Sequence, residues 1–176
     1  METDLPAITL STQQYAMTLF TNSYPKPGLA YLYVKDFLGD DLFYKGLHQF
    51  IRDWNGKHPM PYDFFNSMNI GSGVNLDWFW KRWFFDTGAP DLAISKFTDA
   101  KKEKIIVVEM KGNKPVPIEL TILFSDSSRQ KIHRSADVWE HGNKTVDIRF
   151  STGKTVKEIS LGNNYVPDVN KKDNHI

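Results

Sequence analysis

The chain contains no cysteine, and that absence removes a disulfide frame, a thiolate metal site and a thiol nucleophile together. Charge imbalance is missing as well. Lys and Arg number 22 against 21 Asp and Glu, a formal net charge of +1, and the one dense charged run is Lys-Lys-Glu-Lys at 101–104. Without a basic stripe or an acidic tract, nucleic acid and anionic membranes are poor partners. No long apolar run occurs: Lys, Arg or Asp interrupts each one well short of the roughly 20 residues of a membrane span. The opening METDLPAITL has no basic segment followed by an apolar one, so it carries no secretion signal, and Met1 is compatible with a cloning start. Also absent are G-x-G-x-x-G, the P-loop, G-x-S-x-G and HExxH, the motifs that carry phosphate, dinucleotide, acyl-transfer or zinc chemistry by themselves. The histidines at 48, 58, 133, 141 and 175 never fall three or four apart on a helix, which argues against a zinc site built by this chain alone.

What is present divides into two halves with different periods. The 176 residues suffice for one ordinary domain or two small ones, burying roughly two-thirds of the unfolded surface. Up to about Gly88 the apolar spacing is helical. Leu29, Leu32, Tyr33 and Phe37 mark one face of a helix over about 26–38 that stops at Gly39. Ser23 is placed as its cap, with Pro25 and Pro27 in its first turn. Phe43, Leu47, Phe50, Ile51 and Trp54 mark a second helix, with Asp40 or Asp41 as cap and Gly56 as stop. A short helix begins at Pro61 with Phe64, Phe65 and Met68 inward, and Gly-Ser-Gly at 71–73 is expected to end it. Leu76, Phe79, Trp80, Trp83 and Phe84 then form an aromatic stripe, read as core or an inter-domain face in preference to a ligand box.

After Gly-Ala-Pro-Asp the period becomes two. DLAISKF, KIIVVEM, VPIELTILF, RQKIHRS, DVWEH, KTVDIRF and KTVKEISL are seven β-prone runs separated by turn residues. They predict a seven-stranded immunoglobulin-like or fibronectin-like β-sandwich over 90–168, followed by a frayed polar tail at 169–176.

Few residues in either half invite chemistry. His48 falls on the solvent side of its helix, and His133 and His141 belong to strands or turns. Asp40 and Asp41 fit a helix cap better than an acid/base dyad, and Asp86 and Asp91 flank the junction as caps or bridges. Trp139 is either core or an exposed peptide or sugar platform. That leaves Tyr24, whose ring either packs against the start of its helix or offers a neutral O–H to a developing oxyanion.

The stretch SYPKPGLAYLYVKDFLGDDLFYKGLHQFI resembles zinc aminopeptidases of the aminopeptidase N and leukotriene hydrolase family, in which a Tyr-x-Lys-Gly or Tyr-x-Lys-Pro stretch opens a helix. The continuation KHPMPYDFFNSMNIGSGVNLDWFWKRWFFDTGAPDLAIS resembles the same family's next landmarks, an aromatic Leu-Asp-Trp-Phe helix and a Trp before Gly-x-Pro. The likeness covers about residues 18–95. It implies that 1–89 is the helical end of a thermolysin-like catalytic domain and that 90–168 is the sandwich behind it.

In that family HExxH and a downstream Glu bind zinc, and a tyrosine stabilises the tetrahedral intermediate. Only Tyr24 matches a catalytic position here, while Lys26 matches a pattern position with a local structural role. The resemblance therefore implies a C-terminal fragment of a short, three-domain metallo-aminopeptidase, inactive alone. Zinc belongs to the full-length parent and is not bound by this segment. The parent's substrate is a peptide, its upstream catalytic domain packs on the helical part, and the parent is an exported bacterial protein of the periplasm or cell surface. The alternatives are a non-catalytic peptide- or protein-binding module, or a peptidase-like protein without zinc ligands. The aromatic stripe is expected to be partly exposed once the upstream domain is missing.

Overall fold

A computed structural model describes residues 4–100 and 103–176, so Met1 and the first half of the Lys-Lys-Glu-Lys run lie outside the described residues. The chain forms two compact units, one reaching to Thr87 and the other Gly88–Ile176.

The first unit is helical: α1 (Ala16–Ser23), α2 (Pro25–Trp54), α3 (Pro61–Ser72) and α4 (Asp77–Trp80), the last running on into one wider π turn, Lys81–Phe85. In that turn the Asp86 N–H donates to the Lys81 carbonyl, five residues back, at 3.0 Å. The two helices read on either side of Gly39 are continuous in α2, and Gly39 alone departs from helical backbone, at φ 73° and ψ 166°. Only glycine takes that conformation without strain, so the kink sits where the sequence supplies one. The expected caps are not used there: Asp40 pairs with Lys35 at 3.3 Å and Asp41 with Lys45 at 2.8 Å.

Gly71 does not end α3 but lies inside it. A Cβ at Gly71 would come within 2.6 Å of the Lys45 carbonyl and 2.7 Å of the Gly46 Cα, so α2 and α3 touch backbone to backbone there. The helix ends at Gly73, whose φ of 71° closes it in the left-handed region. Asn69 joins α3 to α4, accepting from the Leu76 N–H and the Trp80 indole N–H at 3.2 Å each and donating to Asp77 at 2.7 Å.

Leu76, Phe79, Trp80, Trp83 and Phe84 are all buried, and Phe65 stacks on Trp80 with centroids 5.0 Å apart. The aromatic stripe is thus the core of the helical unit, and the expected exposure does not occur. Each such ring removes on the order of 150–250 Å² from water. Two residues assigned to buried faces point outward instead: Leu32 is 61% exposed and Ile51 50%.

The second unit holds six strands among the described residues: β1 (Leu92–Ala100), β2 (Glu103–Met110), β3 (Ile118–Phe124), β4 (Arg129–Arg134), β5 (Thr145–Ser151) and β6 (Val156–Leu161). They form two antiparallel sheets, ordered β1-β2-β5 and β4-β3-β6. Central strands β2 and β3 bury every second residue, including Ile106, Val108, Ile118, Leu120 and Ile122. Each fully buried aliphatic side chain contributes about 1.5–3 kcal/mol.

The seventh run, DVWEH, is not a strand. Ala136–Trp139 is a 3-10 turn, with the Glu140 N–H on the Asp137 carbonyl at 2.9 Å and the Gly142 N–H on the Trp139 carbonyl at 3.0 Å. The polar tail is not frayed either. Ile159 and Ile176 exchange backbone hydrogen bonds at 2.8 and 3.1 Å, and the Leu161 N–H donates to the Asn174 carbonyl at 2.8 Å, so the tail pairs with β6.

Candidate functional site

Tyr24 is the single residue between α1 and α2, and it serves both helices. Its N–H donates to the Phe20 carbonyl at 3.1 Å, closing α1, while its own carbonyl accepts from the Gly28 N–H at 3.0 Å, opening α2. Its backbone, at φ −126° and ψ −75°, lies outside the helical region, and Pro25 follows as the first residue of α2. Proline suits that position because its missing N–H has no partner to lose. Ser23 does not cap α2; it is the last residue of α1, and no side chain makes the cap bond. The backbone of Tyr24 is therefore fixed from both sides without help from Ser23.

The side chain is 68% exposed. Its ring lies 5.5 Å from that of Phe20, and among the described residues its hydroxyl has no hydrogen-bond partner. Lys26 reaches back to the Leu5 carbonyl at 3.3 Å and to Asp4 at 3.5 Å. Asn22, buried, donates to the Leu5 carbonyl at 3.2 Å and to the Gln14 side chain at 2.8 Å. Both side chains tie the junction to the segment preceding α1, and Lys26 acts on local structure.

An apolar cleft of about 400 Å³ opens in the same unit. Asn22, Pro27, Tyr31, Met60, Phe64 and Phe84 are among its walls, and Tyr24 is not. Burial raises the Tyr31 hydroxyl above the ordinary tyrosine range, so it stays protonated. The exposed rim of the unit is apolar as well: Tyr15, Met17, Phe20, Met60 and Tyr62 all face solvent. Helix α1, which supplies three of these with its preceding residue, was not legible in the sequence. Its apolar residues at 15, 17, 19 and 20 follow no clean helical period.

The other candidates separate. His48 is exposed beside Tyr44, their rings 6.4 Å apart. His133 pairs with Glu119 at 2.7 Å, and His141 is exposed after the 3-10 turn. Asp86 pairs with Arg82 at 2.9 Å within the helical unit. Asp91 is held in the β unit, where its carbonyl accepts the Lys111 and Gly112 N–H groups at 2.9 and 3.0 Å. Trp139 is buried, and its indole N–H donates to the Val116 carbonyl at 2.9 Å, so it is core and not a platform. Among the described residues no three His, Asp or Glu side chains are arranged to hold a metal, and no helix is long and apolar enough to cross a membrane.

No protein-family profile matches the chain, and no curated protein does. Among solved structures the fold is similar to that of an aminopeptidase A from Legionella pneumophila, crystallised in complex with aspartic acid. The TM-score is 0.63 and the identity 20% over 84% of this chain. The match spans 17% of the Legionella chain. At that identity the likeness concerns the fold: a helical part followed by antiparallel sheets, shared with a segment of a peptidase.

Proposed function

We propose that this chain is the C-terminal part of a zinc-dependent aminopeptidase that removes N-terminal residues from peptides, and that it contributes Tyr24 and the β unit but no activity by itself. In this reading the helical part belongs to the catalytic domain and an upstream region of the parent packs on it. The observation that carries it is the state of Tyr24: a hydroxyl with no partner, open to solvent, on backbone bonded to the helices on both sides. The fold likeness to a short stretch of a much longer aminopeptidase supports the same assignment.

The chemistry asked of Tyr24 is modest. When a nucleophile adds to a peptide carbonyl, the oxygen acquires negative charge, and a pre-placed neutral O–H donor stabilises it. One such donor is worth roughly 100- to 1000-fold in rate. Tyrosine suits the task because it donates without carrying charge of its own. Zinc, which supplies the Lewis acid in such enzymes, belongs in this proposal to the parent. The residues present here do not fit it, and no step is assigned to it in this chain.

The test uses the full-length parent. Tyr24→Phe is expected to lower kcat at least about 100-fold while the circular dichroism spectrum is unchanged; a loss under tenfold removes Tyr24 from the mechanism. The isolated chain is expected to hold no stoichiometric zinc and to hydrolyse no aminoacyl substrate. Either finding would relocate the site.

A second reading, a peptide- or protein-binding module without catalysis, draws on the exposed apolar side chains of Met17 and Phe20. The reading frame upstream separates the two: HExxH followed by a downstream Glu favours the peptidase, and its absence favours the module or a peptidase-like protein without zinc ligands.

A further inference from the structure

Three segments of the β unit meet around a group of side-chain oxygens that the peptidase reading does not use. The Pro90 carbonyl accepts the Val169 N–H at 3.2 Å, and the Asp91 carbonyl accepts the Lys111 and Gly112 N–H groups. Asp168 Oδ2 accepts the Leu92 N–H and the Asn174 amide, both at 3.1 Å, and its Oδ1 accepts the Asn170 N–H at 2.9 Å. Asp173 Oδ2 accepts Lys111 Nζ at 2.7 Å and the Asn170 amide at 3.0 Å.

Three oxygens remain. Asp91 Oδ1, Asp173 Oδ1 and Asn174 Oδ1 are sealed from solvent and receive no hydrogen bond. Asn174 is only 2% exposed, and its bond to Asp168 turns its amide into the acidic group. Burial raises the Asp91 carboxyl above the usual range, and the charges of Asp168 and Asp173 raise it further against the pull of Lys111. A sealed acceptor without a donor costs about 1–3 kcal/mol, and native proteins keep few of them. A proton on Asp91 would satisfy its own oxygen and one neighbour, leaving the third orphaned.

A hard cation answers all three. Two carboxylate oxygens and one amide oxygen are the donors Ca²⁺ favours, and it completes its shell with backbone carbonyls and water in a tolerant geometry that Mg²⁺ does not accept. Zinc prefers nitrogen and sulfur. We propose that Asp91, Asp173 and Asn174 form a calcium site that fastens the C-terminal segment to the start of β1. Asp168, with both oxygens taken, positions Asn174 and is not a ligand; the site has two carboxylates, consistent with no three acidic side chains surrounding one point.

Titration calorimetry of the full chain, stripped with EDTA and titrated with CaCl₂, is expected to show one ion per chain with a Kd on the order of 10⁻⁴ M. In 10 mM Ca²⁺ the Tm is expected to rise about 4 °C over that in EDTA. Asp91→Asn and Asp173→Asn are expected to weaken binding at least about tenfold, and Glu140→Gln, exposed after the 3-10 turn, to leave it unchanged. Should the first two fail to fold, Asn174→Asp keeps the proposal open to refutation: with a third carboxylate it must bind Ca²⁺ more tightly and be less stable in EDTA than the parent chain. No saturable heat with an unmoved Tm overturns the site. So does a Tm in EDTA that falls as pH rises through the elevated Asp91 range and ignores Ca²⁺, the behaviour of a shared proton.

Discussion

Trp139 and Tyr24 each carry one polar atom on an aromatic ring, and their surroundings give that atom opposite tasks. The Trp139 indole N–H is buried and satisfies the Val116 carbonyl, whereas the Tyr24 hydroxyl faces solvent with no partner among the described residues. Trp139→Phe would strand a buried carbonyl and leave space in the core. The missing donor alone is expected to cost about 1–3 kcal/mol, with the cavity adding to it. Tyr24→Phe removes an unbonded exposed hydroxyl and is expected to change stability by less than about 0.5 kcal/mol. Urea unfolding of both variants checks the contrast. A Trp139→Phe midpoint equal to the parent's would show that the indole bond contributes nothing, and a large loss at Tyr24→Phe would make that residue structural.

At the scale of elements, β6 depends on residues that look dispensable. Ending the chain at Asp173 removes the two Ile159–Ile176 bonds and the Leu161–Asn174 bond. At about 0.5–1.5 kcal/mol for each bond, a loss of about 2–4 kcal/mol is expected in EDTA, together with faster amide exchange at Ile159 and Leu161. Unchanged exchange at these two amides would mean that the tail is not paired in solution. The tail was illegible in the sequence because NKKDNHI pairs through backbone groups, which leave no side-chain pattern to read. The same holds for DVWEH, where Val138 and Trp139 have β-prone side chains but the turn is decided by the reach of the indole to Val116. Long periodic signals were more legible. The helices on either side of Gly39 and the alternation of Ile118, Leu120 and Ile122 appear where the spacing puts them, since burial of one face leaves a chain little choice of period. Tyr24 was found by motif, but its double cap was not, because α1 has no readable period.

For the molecule as a whole, the aromatic stripe and the exposed rim exchange the roles that the sequence suggests. Association cannot come from Trp80, Trp83 or Phe84, which are internal. It can come from Tyr15, Met17, Phe20, Met60 and Tyr62, all more than half exposed on the helical unit. Large exposed apolar groups on a soluble unit mark surfaces that are covered in use or that cause association when bare. In the proposed parent the upstream region covers them. On the chain alone they are expected to drive reversible self-association, so the weight-average sedimentation coefficient should climb with protein concentration. Met17→Ser combined with Phe20→Ser leaves the buried stripe intact and should return the coefficient toward the monomer value. A coefficient independent of concentration, or one that the double variant does not shift, would mean that this face is not adhesive and would remove the support it lends to a missing neighbour. Tyr24 stands beside Phe20 on that same face, so a cover that spares its hydroxyl but shields the ring is the arrangement that oxyanion donation requires.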